Sequence, residues 1–243
     1  MSISFNNVKS FVGVAAFVLS TTFGLISAFS APLFAQEFRY EKDVAKYEAQ
    51  SEQTPPTAET TFFAGSSTFT RWKEIPHDFA EFHAINRGFG GSRLTDWNSV
   101  ATARLLAPFK PNRVVLYCGG NDITGGATGE EVVERFKKFL ADLRLSNPDV
   151  KVHFCALHFA PVCEKNWDKF RYYNDAIKKL ADEDPNLYYV DFENAIRDKD
   201  GAVREDLYLK DRLHLTREGE TILVPIIVES IKREIDDTSS ANR

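Results

Sequence analysis

From residue 61 onward, short apolar runs alternate with longer segments whose apolar residues recur every three or four positions, and few folds accept that alternation. The short runs are Thr61–Ala64, Phe82–Asn86, Arg113–Tyr117, Val152–Leu157 and Leu187–Val190, each followed by a turn or polar stretch, which predicts five buried strands. Between and after them, Leu94–Phe109, Glu130–Leu145, Lys165–Asp182 and Arg217–Ile235 carry helical spacing. In the second of these, Val132, Phe136, Phe139, Leu140 and Leu143 fall on one face. Strands alternating with helices predict an α/β fold with a five-stranded parallel sheet covered by helices on both faces. Right-handed crossovers then leave the loops at the carboxyl ends of the strands free for chemistry.

A chain of 243 residues with 43% hydrophobic content supports one substantial core, so residues 61–243 read as a single domain. Residues 36–60 form a polar lead-in with a short helix over Tyr40–Gln50 and a breaker at Pro55-Pro56. Residues 1–35 carry one charge, Lys9, an apolar stretch from Phe11 to Phe29, and small residues at Ala28, Ser30, Ala31 and Ala35, the pattern of a secretory signal peptide. Cleavage after Ser30 or after Ala35 fits equally. An uncleaved anchor competes, because the uncharged stretch approaches the ~20 residues that cross a bilayer, but Thr21, Thr22, Ser27 and Ser30 dilute it. Export, without stable membrane association after cleavage, is the expectation.

The formal net charge of -5, with lysines and arginines scattered, leaves no electrostatic footprint for nucleic acid. Three cysteines are too few for a disulfide framework. Cys118 lies in an apolar strand and reads as a small buried residue, whereas Cys155 and Cys163 bracket a strand end and could bridge in an oxidising compartment.

Three fragments that follow predicted strands carry the chemistry. Gly65-Ser66-Ser67-Thr68 turns out of the first strand toward a helix with Trp72 and Ile75 inward, and the Ser67 hydroxyl there can stand open to a cleft as a nucleophile. Ser66 suits a helix cap. Gly119-Gly120-Asn121-Asp122 follows the third strand; the Asn121 side chain can donate to an oxyanion or close an Asx-turn, and Asp122 suits a turn or cap acceptor. Asp211-Arg212-Leu213-His214 precedes the last helix, and a carboxylate three residues from an imidazole on one turn can orient it as a base. The competing reading is a surface pair that caps the helix.

The glycine-rich loop Asn86-Arg87-Gly88-Phe89-Gly90-Gly91-Ser92 lacks a P-loop lysine and reads as a source of backbone amides, with Gly91 or its neighbour beside Ser67. Among the other histidines, His77 and His83 flank the second strand and His153 begins the fourth. Only His158 falls at the catalytic end of the sheet, as a rival base with no adjacent carboxylate. No histidine or cysteine spacing suggests zinc, and a metal on Asp122, Asp211 and His214 has no support. Phe89, Trp97, Phe159, Trp167 and Tyr172 fall in or near loops, where they could stack on sugar rings or belong to the core.

The ordered set resembles the SGNH hydrolases, the GDSL-like lipases and acylhydrolases, from about Phe62 to His214. Gly65-Ser66-Ser67 is similar to the first block of that family, with Ser66 where many members carry aspartate. Asn86 to Ser92 resembles the second, Gly119-Gly120-Asn121-Asp122 the third, and Asp211-Arg212-Leu213-His214 the last. The resemblance implies a flavodoxin-like three-layer α/β/α sandwich, Ser67 as nucleophile, His214 as base and Asp211 as its orienter. It further implies an oxyanion hole of Ser67, Gly91 and Asn121, and no cofactor or metal.

The second block and the helix ahead of the first look like a secreted bacterial branch described as lysophospholipase-like or platelet-activating-factor acetylhydrolase-like. The expected activity is hydrolysis of short-chain acyl esters of small molecules or carbohydrates, since no apolar lid is evident after the leader. A carbohydrate O-acetyl esterase is the competing substrate reading, and a non-catalytic glycan- or lipid-binding module the competing class.

Overall fold

The computed structural model describes residues 38–241. The expected signal segment, residues 1–35, lies outside the described residues. Five strands, β1 (Thr61–Gly65), β2 (Ile85–Asn86), β3 (Arg113–Tyr117), β4 (Lys151–Cys155) and β5 (Leu187–Val190), form one sheet in the order β2-β1-β3-β4-β5. Every pairing is parallel. This is the flavodoxin-like order. Its direction reverses at β1, so right-handed crossovers fall on opposite faces to either side and both faces are covered. The strands read as nearly continuous apolar runs for that reason: Phe62, Phe63, Val114, Val115, Leu116, Val152 and Phe154 are fully buried.

Helix Gly129–Arg144 begins at a capping box, in which the Thr128 hydroxyl accepts from the Glu131 amide and the Glu131 carboxylate accepts from the Thr128 amide. Its predicted apolar face is buried, and it packs beside helix Trp167–Glu183. The closing helix, Arg217–Ala241, packs on β4 and β5. The lead-in helix, α1, spans Glu41–Gln53 and docks through Arg104, which binds both Glu41 and Glu48. Among the described residues, no helix is long and apolar enough to cross a membrane.

Several boundaries differ from expectation. β2 is shorter than Phe82–Asn86, because Ala80–Phe82 is a 3-10 turn closed by His83 in the left-handed region, φ 51°, so the backbone becomes extended only after it. β4 stops at Cys155, two residues early. The Asn174 side chain accepts from the Leu157 amide and donates to its carbonyl, standing where a partner strand would be. The helix expected over Leu94–Phe109 is broken into α turns at Leu94–Asp96 and Thr102–Leu105 around a π-helical turn at Trp97–Ala101, with a 3-10 turn at Ala107–Phe109. Pro108 cannot supply the amide to continue it.

The bridge expected between Cys155 and Cys163 does not form; both are free and buried, as is Cys118. Cys155 sits on β4 inside the core, while Cys163 belongs to the 3-10 turn Pro161–Asn166. Phe89, Trp97 and Phe159 are core rather than loop platforms, at 1% exposure or less. Trp167 stacks on Phe159 at 5.6 Å.

At the end of β1, Gly65 has φ 141°, and a Cβ there would stand 2.1 Å from the Tyr117 carbonyl oxygen. Substitution Gly65→Ala therefore combines left-handed strain with backbone overlap and costs about 2–4 kcal/mol, measurable as a lowered denaturation midpoint with an unchanged slope.

Two imidazoles are buried, His153 against the Ser230 hydroxyl at 2.8 Å and His158 against the Tyr208 hydroxyl at 3.1 Å. Burial lowers the affinity of both for a proton, His158 from 6.5 to about 3. The unfolded chain then takes up protons that the folded chain refuses, so stability falls as pH drops below about 6.5. Going from pH 7 to pH 5 removes about 2 kcal/mol for a histidine shifted that far. Denaturation of His158→Gln at the two pH values is expected to show a correspondingly smaller difference than the parent.

Candidate active site

Ser67 is the first residue of a short helix, α2 (Ser67–Arg71), that leaves β1 through Ser66. The Ser66 amide still donates to the Tyr117 carbonyl at 3.0 Å, so sheet pairing persists to the residue before the hydroxyl. Ser66 occupies the cap position in extended conformation, but its side chain makes no capping bond, contrary to expectation. Instead it lines, with Ser67, a cavity of about 280 Å³.

The Asp211–His214 loop is shaped by its own carboxylate. Asp211 Oδ1 accepts from the amides of Leu213 and His214, both at 3.0 Å, while Oδ2 accepts from His214 Nδ1 at 2.7 Å. Arg212 takes a left-handed φ of 54° to close this turn. The imidazole hydrogen bond, followed by those backbone donors, holds the Asp211 carboxyl well below the usual carboxylate range. A carboxylate only accepts, so Nδ1 carries the proton and Nε2 presents a lone pair. That nitrogen lies 2.9 Å from Ser67 Oγ. Ser67, His214 and Asp211 therefore form one continuous hydrogen-bonded chain.

Asn121 stands in helix Gly120–Thr124 directly after β3 and lines the same cavity. Its Nδ2 donates one N–H to the Ser92 carbonyl at 3.0 Å, which fixes the amide plane. The second N–H has no acceptor among the described residues. Gly91 lies on the exposed loop outside the cavity's lining residues, with φ 77°. Its amide meets no acceptor among the described residues.

The loop that carries Gly91 is fastened to the strand ends. Gly65 O accepts from the Phe89 amide at 3.0 Å and from Ser92 Oγ at 2.9 Å. Asp122 does act as a cap acceptor, but for a remote element: its Oδ2 accepts from the Leu94 amide at 2.9 Å and its Oδ1 from Arg135 at 2.9 Å. Its burial raises the carboxyl's affinity for a proton, opposed by those two donors. Ser92 and Arg135 were not singled out in the sequence, because their value lies in partners far along the chain.

His158 lines the cavity, yet the structure joins Ser67 to His214 and not to it. The His158 ring is 2% exposed, stacks on Tyr117 at a centroid distance of 5.5 Å and is held neutral by burial, with His214 nearby adding to the effect. A base with so low an affinity for protons accepts them poorly near neutral pH. The remaining wall is largely apolar, including Ala160, Val162, Phe170 and Leu213, with Lys165 at the rim. None of the five aromatic residues considered for sugar stacking lines it.

Comparison with known proteins bears on the family and the fold. The family model for the GDSL-like lipase/acylhydrolase family matches residues 59–222. No curated protein matches significantly. Among solved structures, the chain is similar to a candidate acylhydrolase of Bacteroides fragilis, with TM-score 0.67 and 21% identity over 78% of this chain and 95% of that one. It is similar to a GDSL-like lipase of Bacteroides thetaiotaomicron, with TM-score 0.65 and 20% identity over 78% and 97%. A carbohydrate esterase family 3 structure from Talaromyces cellulolyticus follows, with TM-score 0.59 and 16% identity over 73% and 98%. These structures share the fold, and the family match extends over all four sequence blocks and the whole sheet. The chain belongs to the GDSL-like lipase/acylhydrolase family, the SGNH hydrolases, and is an ester hydrolase.

Proposed function

We propose that this protein is an exported serine esterase that cleaves short-chain acyl esters. The carrying observation is the hydrogen-bonded chain from Ser67 Oγ through His214 to Asp211, with links of 2.9 and 2.7 Å. Ser67 Oγ attacks the ester carbonyl carbon as His214 Nε2 takes its proton, and Asp211 stabilises the imidazolium that forms. Charge gathers on the carbonyl oxygen, which the amides of Ser67 and Gly91 and the free N–H of Asn121 Nδ2 receive. Collapse expels the alcohol, which takes the proton from His214. Water, deprotonated in turn by His214, then releases the acid and restores the serine.

Small substrates are favoured by space. A cavity of about 280 Å³ lies just below the usual range for ligand sites, about 300–1,000 Å³, and its apolar wall suits an acetyl or similarly short group. A second reading, carbohydrate O-acetyl esterase, draws on the fold likeness to a carbohydrate esterase, since both readings need the same small acyl site. The intact Ser67–His214–Asp211 chain argues against a non-catalytic binding module. Export rests on the apolar segment of residues 11–29, and N-terminal sequencing of the mature protein would locate cleavage.

The test is a fluorophosphonate probe and a panel of p-nitrophenyl esters. Ser67 is expected to label, Ser67→Ala to lose both labelling and turnover, and acetate or butyrate to be preferred over octanoate. Replacing Asn121 by alanine should lower kcat about 100-fold or more. Asp211→Asn removes the charge that fixes the tautomer and should lower kcat by ~10³–10⁴-fold. Retained hydrolysis in Ser67→Ala would remove the proposal. Acetylated xylan tested beside lysophosphatidylcholine separates the carbohydrate from the lipid reading.

A further inference from the structure

The lead-in segment lies outside the family-matched residues 59–222, yet it grips the loop that carries Gly91. Tyr47 Oη donates to the Gly88 carbonyl at 2.6 Å. Arg39 donates to the Gly91 carbonyl at 3.3 Å and to both oxygens of Asp96, at 3.1 and 2.6 Å. Asp96 in turn accepts from the Arg93 amide at 2.8 Å, where the loop ends. The Tyr40 ring packs on Phe89 at 4.8 Å, and its hydroxyl closes the space beside Gly91. From the loop side, Arg87 reaches back to Ser51 Oγ at 2.8 Å and lies over the Tyr47 ring.

These contacts have a direction. Carbonyls at both ends of Gly88–Gly91 are bonded outward to α1 and the residues before it. The Phe89 amide and the Ser92 hydroxyl are bonded inward to Gly65. The peptide joining Gly90 to Gly91 has its amide uncommitted, and a loop with glycine at positions 88, 90 and 91 has little intrinsic preference for one position. An oxyanion donor contributes only if it is held in place before the charge develops.

We propose that Phe38–Gln53 is a positioning strap for the oxyanion loop, with Arg39 and Tyr47 as the positioning residues. It fixes the loop so that the Gly91 amide faces the carbonyl oxygen of the ester. The strap therefore sets kcat from outside the family-matched residues, without touching substrate. The inference rests on the serine-esterase reading above, and the experiment separates the two.

Kinetics on p-nitrophenyl acetate and the rate of fluorophosphonate labelling are measured for the exported protein and for Arg39→Ala, Tyr47→Phe, their combination, Arg39→Lys and Arg104→Ala. Tyr47→Phe deletes one hydroxyl and keeps the ring, so it tests the loop where larger changes unfold the segment. Arg104→Ala loosens the other side of α1, releasing Glu41 and Glu48 without touching the loop. The combined variant is expected to lose about 10-fold or more in kcat and in labelling rate, with KM within about twofold. Arg39→Lys should recover part of that loss, and Arg104→Ala should lower Tm while keeping kcat. A combined variant with kcat within twofold of the parent overturns the strap, as does a loss confined to KM or matched by Arg104→Ala at equal Tm. Failure of the parent to label at Ser67 overturns both the strap and the esterase reading, whereas a labelled, active parent with unaffected strap variants overturns the strap alone.

Discussion

The site is organised around the close approach of β1 and β3 at their carboxyl ends. Gly65 passes the Tyr117 carbonyl so tightly that no side chain fits between them, and the Ser66 amide bonds to that same carbonyl. Two strand ends locked side by side deliver α2, which starts at Ser67, and the helix that holds Asn121. The Gly65 carbonyl then serves as an anchor for the glycine loop through the Phe89 amide and the Ser92 hydroxyl. Asn121 completes the circuit by donating to Ser92. One backbone junction thus fixes three of the pieces that the proposed chemistry uses, and the sheet core behind it supplies the rigidity.

Charge is distributed by solvent access. Asp211, 41% exposed at its side chain, remains partly hydrated and keeps its charge through the imidazole and two amides. Asp122 is buried and is compensated by Arg135 and the Leu94 amide, a structural pairing in which leaving either partner alone would be costly. His158, enclosed by Tyr117 and Tyr208, stays neutral and leaves His214 as the basic group beside Ser67. Two histidines in one cavity wall are therefore separated in role by burial and by which of them has a carboxylate.

Much of this was legible in the chain. The alternation of apolar runs and helical faces predicted the parallel sheet, because burial of a parallel strand on both faces leaves a continuous apolar trace. The helical face Val132, Phe136, Phe139, Leu140 and Leu143 is buried as its spacing requires. The endings were less legible. β4 stops because Asn174 supplies its hydrogen bonds, and β2 starts late because His83 turns left-handed, neither of which is visible in local composition. Cysteine spacing suggested a bridge, whereas both thiols are free and buried. Three of the five aromatic residues near predicted loops proved to be packing, since Phe89, Trp97 and Phe159 complete the core rather than face solvent, whereas Tyr172 is exposed.

The sequence alone determined the secondary-structure periods, the parallel class of the sheet and the residue types capable of the reaction, because each of these is written in local spacing. Tertiary structure decided which histidine meets Ser67, a partner 147 positions away, and which carbonyls the lead-in helix holds. Such pairings depend on hydrogen-bond geometry between segments that become neighbours only when the sheet closes, and no period along the chain records them. Tertiary structure also assigned Asn121 its bond to Ser92 and Asp122 its cap on Leu94, choices that adjacent residues in a single turn could not reveal.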